Sequence, residues 1–214
     1  MTPTPFVYTS LITIVVALIT TILGPIVVLW VKDKLIDKSK TPTPMAEAIN
    51  LNALVDDQVE IILEELECDR VWIAQFHNGG NFYPTGKSIQ KFSIFYEKLT
   101  LNSQSIQSLL QNIPASLFSK ALSQLHKEGE LSIPDVEGGG EMYGLESISS
   151  QIHAKSLYMV GLYSLDNHLI GIMCIAYNDK SHNLAHNEWI YIRQKIGVIG
   201  TLLTEYLYAN PIKK

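Results

Sequence analysis

The residues best equipped for chemistry lie in one stretch, Phe76-His77-Asn78-Gly79-Gly80-Asn81-Phe82-Tyr83-Pro84-Thr85-Gly86-Lys87-Ser88. His77, Asn78, Tyr83 and Lys87 set an imidazole, an amide, a phenol and an ammonium beside glycines, whose missing side chains let backbone N–H groups approach a ligand. That combination suits recognition of a small polar molecule. Lys91, Tyr96, Asp135 and Tyr143 are expected to line an opposite wall. The same string also reads as a well-satisfied turn in which Asn and Gly supply positive φ. Gly86-Lys87-Ser88 has the ending of a phosphate-binding loop, but the upstream glycine that such a loop requires is not in place, so nucleotide hydrolysis is not expected.

Other reactive groups are sparse. His182, His186 and Glu188 have a spacing that can bind metal on a helix, yet they fall ahead of the closing helix, where exposed histidines are expected, and no metal or other cofactor is assigned. Ser, His and acid do not combine into a nucleophilic triad, and no catalytic residue is assigned. Cys68 and Cys174 stand far apart outside any metal spacing. They read as buried reduced thiols, with a disulfide as the alternative.

The elements that must hold these residues follow from patterning. From Met45, Leu51, Val55, Val59, Ile62 and Leu66 recur at helical steps with acidic residues between them, which predicts an amphipathic helix. Val71 to His77 is a β-rich run expected to stop at Asn78-Gly79-Gly80, and Gln90 to Leu99 a second strand in which Phe92, Ile94 and Tyr96 alternate. Ser103 to Lys127 reads helical with a break at Ile113-Pro114, its stripe formed by Leu117, Ala121 and Leu125. Leu131 to Ile133 is a brief strand. Glu137 to Ser150, opened by Gly138-Gly139-Gly140, reads as a flexible connection. Leu157–Tyr163 and Leu169–Tyr177 form a hairpin, and a last helix runs from about Asn187, as N-cap, to about Tyr208. Its Trp189, Ile192, Ile196, Ile199 and Leu203 make a heptad seam that Val198 and Leu202 widen. Either all of these are core or the seam is the interface of a homodimer or larger homo-oligomer.

The amino end is of another kind. Residues 1–5 are a short tail, and no charged side chain precedes Lys32. In the 26 residues from Phe6 to Val31, 19 are apolar, long enough to cross a bilayer as one helix, with Tyr8 and Trp30 near the two interfaces. Residues 32–44 form a basic juxtamembrane linker, so residues 45–210 are expected on the cytoplasmic side of a plasma (inner) membrane. The whole chain of 214 residues carries a net charge of −5. With the basic linker set aside the body is more acidic still, which argues against nucleic acid as a partner.

Helix, strand, strand, helix, strand, hairpin, helix describes an α+β domain with one mostly antiparallel sheet flanked by helices. Within it, Phe118 to Leu207 resembles the later two thirds of a GAF domain. The resemblance is carried by Glu128-Gly129-Glu130-Leu131, Ile133-Pro134-Asp135-Val136, Lys155-Ser156-Leu157, Leu169-Ile170-Gly171-Ile172 and the acidic-capped closing helix. Met45 to Leu99 supplies the first helix and two strands of such a fold. The resemblance implies a non-catalytic sensory or regulatory domain that binds a small ligand or a partner protein in a pocket bounded by the sheet and its loops. It does not extend to the cyclic-nucleotide set, because Asn178-Asp179-Lys180, Leu184 and Asn187-Glu188 lack the expected Phe and Asp. Bilin attachment would need a loop Cys, and the sulfoxide reductases of this fold need clustered thiols. With the sequence ending six residues past the closing helix, no output domain is expected, and signalling is expected through assembly. The layout, with Val71 to Tyr83, also resembles T4-type phage holins, which implies as the alternative a membrane-permeabilising protein whose soluble domain times oligomerisation of the span.

Overall fold

The computed structural model describes residues 44–82 and 84–209. The predicted tail, span and linker up to residue 43, and the side chain of Tyr83, lie outside them. Among the described residues no helix is long and apolar enough to cross a membrane.

Helix α1, Pro44–Glu65, buries Val55, Val59 and Ile62 completely. It ends where Glu67 takes a positive φ of 48° and the Cys68 N–H donates to the Leu63 carbonyl, a left-handed cap formed without glycine. Strand β1, Arg70–Asn81, and β2, Ser88–Leu99, make a long hairpin. Asn78-Gly79-Gly80 does not stop β1 as the sequence suggested. The ladder runs through to Asn81 opposite Ser88. Gly79 is tolerated mid-strand because the methylenes of Lys91 lie where its Cβ would be.

Residues 100–112 are turns and bends, not the predicted helix, and lead into a two-residue strand β3, Ile113–Pro114, and a 3₁₀ turn, Ala115–Phe118. Helix α2, Ser119–Glu128, buries Ala121 and Leu125 and stops at Gly129, φ 79°; Leu117, predicted on its stripe, is exposed. After β4, Glu130–Ile133, the predicted flexible connection contains a short helix α3, Glu146–Gln151, pinned by buried Leu145, Ile148 and Ile152. Strands β5, Ser156–Tyr163, and β6, Leu169–Tyr177, form the expected hairpin. The closing helix α4 spans His186–Ala209. Asn187 therefore sits inside it and does not cap it; the Glu188 carboxylate instead accepts the Ala185 N–H at 2.6 Å.

The six strands pair antiparallel in the order β3-β2-β1-β6-β5-β4. Gly171 is required at the β6–β1 contact, since a Cβ there would lie 2.5 Å from the Ala74 carbonyl oxygen. Helices α1 and α4 cover one face, burying Val59, Ile62, Ile192, Ile199 and Leu203 against Ile73, Tyr158, Met173 and Ile175. The other face carries Trp72, Ile94, Leu157 and Cys174 under α2, α3 and the loops. Phe95 is an extra residue in β2 opposite the Ile73–Ala74 step. This bulge turns Tyr96 to the helix face while Phe92 and Ile94 stay on the other.

The heptad seam points inward. Ile192, Ile199 and Leu203 are buried in the chain's own core, with Trp189 and Ile196 packed at its margin. Ile192, Ile199 and Leu203 are taken up by the core, while Trp189 and Ile196 stay partly exposed and Val198, which widens the seam, is 48% exposed.

Candidate functional site

The structure separates the residues expected to form one pocket. His77 and Lys91 face each other across the β1–β2 hairpin, with the His77 ring 2.9 Å from Ser93 Oγ. Asn78 Oδ1 accepts from the Gly80 N–H and the Ser88 hydroxyl, the self-satisfied arrangement that was the alternative reading of this stretch. Lys87 is exposed at the hairpin end. Tyr96 lies on the helix face and donates to Asn52 Oδ1 of α1 at 2.7 Å. Asp135 and Tyr143 belong to the opposite face. The Asp135 carboxylate accepts the Glu137 and Gly138 N–H groups, and Tyr143, at φ 53°, packs on the core. The sheet therefore stands between Tyr96 and the last two.

A better-formed site lies on the face away from the long helices. It is organised by Arg70 and Glu97, both 2% exposed at the side chain and in direct ion-pair contact. Arg70 also donates to the Gln104 carbonyl. Glu97 accepts the N–H groups of Ile106 and Gln107 at 3.2 Å and the Ser105 hydroxyl. One buried ion pair thus fixes the whole 104–107 loop, and its carboxylate supplies the partners that helical backbone bonds would otherwise provide. On the other side, Asp69 accepts the Asn178 N–H at 2.7 Å, and Asn178 Nδ2 donates to Ser103 Oγ at 3.1 Å.

Between these anchored loops and α3 lie three cavities. One of about 360 Å³ is lined by Arg70, Ser103, Ile106, His153 and Asn178 among others. A neighbour of about 410 Å³ shares His153 and Asn178 and adds Ser149, Glu146 and Lys155. The third, about 440 Å³, is lined chiefly by Leu109, Ile113, Leu117, Phe118 and Ile148. Arg70 Nε, Asn178 Oδ1 and Ser149 Oγ are buried without a hydrogen-bond partner. Buried polar atoms are nearly always paired, so three residues with such orphans among those that line the cavities stand out.

Burial pushes the Cys68 thiol up to about 12, and it raises Cys174 further in the same direction, so neither is a thiolate at neutral pH. Both cysteines are free, which settles against the disulfide alternative. Among the described residues no group of His, Cys, Asp and Glu is arranged to hold a metal ion. His182, expected to be solvent-exposed, is instead half-buried. Its ring stacks on Tyr177 with centroids 4.4 Å apart and lies 3.0 Å from Glu188 Oε1.

Sequence reasoning missed Arg70, Glu97, Ser149, His153 and Asn178. The available signal was the arginine at the head of the otherwise apolar run Val71-Trp72-Ile73-Ala74, since a charge entering a central strand needs a buried partner.

No protein-family model matches the chain, and no curated relative matches it. Solved structures do. GAF3 from Slr1393 of Synechocystis sp. PCC6803, in its photoproduct state, superposes with a TM-score of 0.60 at 15% identity, over 77% of this chain and 99% of that one. The blue-light absorbing form of the PixJ GAF domain of Thermosynechococcus elongatus gives 0.57 at 17% identity, over 76% and 89%. The phycoerythrobilin-bound GAF domain of a cyanobacterial phytochrome gives 0.54 at 16%, over 78% and 97%. The six-stranded antiparallel sheet, with its two long helices on one face and loops over the other, has the fold of a GAF domain.

Proposed function

We propose that the chain is a membrane-tethered, non-catalytic regulatory protein whose GAF-fold domain binds a small molecule in the cavities beside α3. The carrying observation is that the cavities beside α3 are lined by Arg70, Asn178 and Ser149, each with a buried polar atom that lacks a hydrogen-bond partner, in a fold whose solved examples include a phycoerythrobilin-bound domain. Covalent bilin attachment is disfavoured, because both thiols are buried and held protonated. The apolar run of residues 6–31 supports a single span in contact with lipid, and the basic flank at 32–40 supports a cytoplasmic domain in an inner membrane. In such a protein the ligand shifts a population of assembly states, and a homodimer is the simplest of them. The GAF fold favours this reading over the holin-like one.

Thermal unfolding of the full chain in detergent, with and without fractionated metabolite pools, tests the ligand. A ligand at about 100 times its Kd adds about 2.7 kcal/mol, which raises Tm by several degrees. If no fraction raises Tm, the ligand-binding reading fails. The tether is tested separately by carbonate extraction of membranes and by a reporter fused after Lys214, active only in the cytoplasm. Full release into the aqueous fraction, or activity outside, removes the anchored cytoplasmic version.

A further inference from the structure

The ligand-binding reading does not choose among the three cavities, and their walls differ in kind. One has Arg70, His153 and Asp179 on its walls, and its neighbour has Glu137, Glu146 and Lys155. Among the described residues that line the third, of about 440 Å³, none is ionisable. Its inner wall includes the buried Leu110 and Ile148, and its rim includes Leu109 and Leu117, 60% and 67% exposed. The polar side chains on it, Ser147 and Gln151, are exposed and stand one turn apart on α3.

Each wall is fixed to the sheet or the core by contacts of its own. The Leu110 carbonyl accepts the Ile94 N–H at 3.0 Å, the Asn112 N–H donates to Ser93 Oγ at 2.8 Å, and Ile113 pairs with Phe92. Phe118 meets the Phe92 ring edge-on, with centroids 5.2 Å apart. Buried Leu145 and Ile152 flank α3 and pin both of its ends. Moving any wall inward breaks these contacts, so the space is held open and a guest does not have to make it. Water against the Leu110 and Ile148 side chains finds no hydrogen-bond partner in them, whereas hydrocarbon regains the dispersion contacts that an empty apolar hollow forfeits. The volume is about three times the roughly 150 Å³ of an apolar cavity that takes up one benzene, which gives room for a chain of several carbons. A charged group would find no countercharge on these walls, and a polar group at the inner end would be buried without a side-chain partner.

We propose that this cavity takes a small, neutral aliphatic molecule with one polar group. The hydrocarbon body lies against Leu110 and Ile148, and the polar group stays at the rim on the side of Ser147 and Gln151. The proposal rests on the ligand-binding reading above and names the ligand class.

The test places the full chain, labelled at isoleucine and leucine methyls, in lipid nanodiscs, so that no detergent tail competes for the cavity. It is titrated at neutral pH with hexanol, with the diol that has a hydroxyl at each end of the same chain, and with hexanoate, and empty nanodiscs correct for probe dissolved in the bilayer. Hexanol is expected to shift the Ile113 and Ile148 methyl resonances with a Kd of about a millimolar. The diol has to bury a second hydroxyl and hexanoate brings a charge to walls that carry none, so each is expected to bind at least about tenfold more weakly. The double variant Leu109→Asn/Leu117→Asn, at exposed side chains and so safe for folding, is expected to weaken hexanol by about tenfold. Leu165→Asn, at an exposed leucine in the β5–β6 turn, is expected to leave hexanol binding unchanged. Equal or tighter binding of the diol or of hexanoate, methyl shifts confined to residues outside this cavity, or hexanol binding that ignores the double variant overturns the proposal. If a metabolite fraction raises Tm and hexanol moves neither isoleucine, the ligand class falls while the ligand-binding reading stands. If neither fraction nor probe acts, both fall.

Discussion

The two faces of the sheet are built to different standards. On the helix face, α1 and α4 lay long apolar stripes over β1, β5 and β6, and the polar groups there are mostly paired: Tyr96 to Asn52, Tyr177 to the Leu66 carbonyl, Lys195 to Gln58. Tyr191 Oη is the exception. On the other face the cover is made of pieces, α2, α3 and loops 100–112 and 134–145, and three cavities remain between them. Among the described residues, the buried polar atoms of this face that lack partners are Arg70 Nε, Trp72 Nε1, Ser149 Oγ and Asn178 Oδ1. The two continuous helices leave a pocket of about 380 Å³ where α1 meets β2 at Asn52, Asp56 and Tyr96, whereas the short segments hung from a buried ion pair leave three cavities beside α3. One face is covered by two long helices and the other by short segments with cavities between them.

The largest effect should come from the ion pair that organises the face away from the long helices. Arg70→Met leaves Glu97 buried without its countercharge and should cost about 3–5 kcal/mol in urea unfolding. The double variant Arg70→Met/Glu97→Leu should recover much of that stability while still losing the 104–107 loop's anchor. If the single variant is neutral, the pair does not hold this face.

Next in size is a direct comparison of apolar truncations. Ile199→Ala, at a fully buried position of α4, should cost about 2–5 kcal/mol, and Leu117→Ala on the cavity rim should stay within about 0.5 kcal/mol. Similar losses at the two sites would erase the distinction between closed and open faces.

The thiols give an effect that depends on pH and is small for each pH unit. Folding holds Cys68 protonated up to about 12, so its contribution is full below the ordinary thiol pKa and is lost as pH rises from about 9 to 12, because the unfolded chain releases the proton first. Stability should fall by about 1.4 kcal/mol per pH unit for this group in that window, seen as a falling urea midpoint. At pH 8 neither thiol should react with a disulfide reagent until denaturant is added; rapid native reaction would contradict their burial.

The smallest effect compares two hydroxyl deletions. Tyr96→Phe removes a made hydrogen bond and should cost about 1 kcal/mol, whereas Ser149→Ala removes an unpartnered one and should be neutral or slightly stabilising. Paired thermal melts resolve the difference, and equal costs would mean that Ser149 is satisfied in solution.

Legibility in the sequence followed the same division. Both long helices and the β5–β6 hairpin show their period over many residues, because each buries one continuous stripe or a whole strand. Helix α3 does not: six residues with Ile148 as the one apolar position carry no measurable period, and the glycines before it argued for a loop. Ser103–Asn112 failed in the opposite sense. Ile106, Leu109 and Leu110 have helical spacing, yet Glu97 at the end of β2 captures the Ile106 and Gln107 amides and holds the segment in turns. In the chemically dense loop around His77, the His77 and Asn78 side chains have partners within the hairpin, Ser93, Gly80 and Ser88, that the sequence alone did not reveal.

What the sequence determined unaided was the α+β class, the order of its long elements and the buried character of both cysteines, since each follows from composition and periodicity within a short window. Which face is open, and which side chains meet there, was decided only in three dimensions. Arg70, Glu97 and Asn178 come from β1, β2 and the end of β6, and antiparallel pairing in the order β2-β1-β6 brings them side by side. A hydrogen bond acts over about 3 Å, so partners that are 27 or more residues apart along the chain leave no local trace of one another until the sheet has formed.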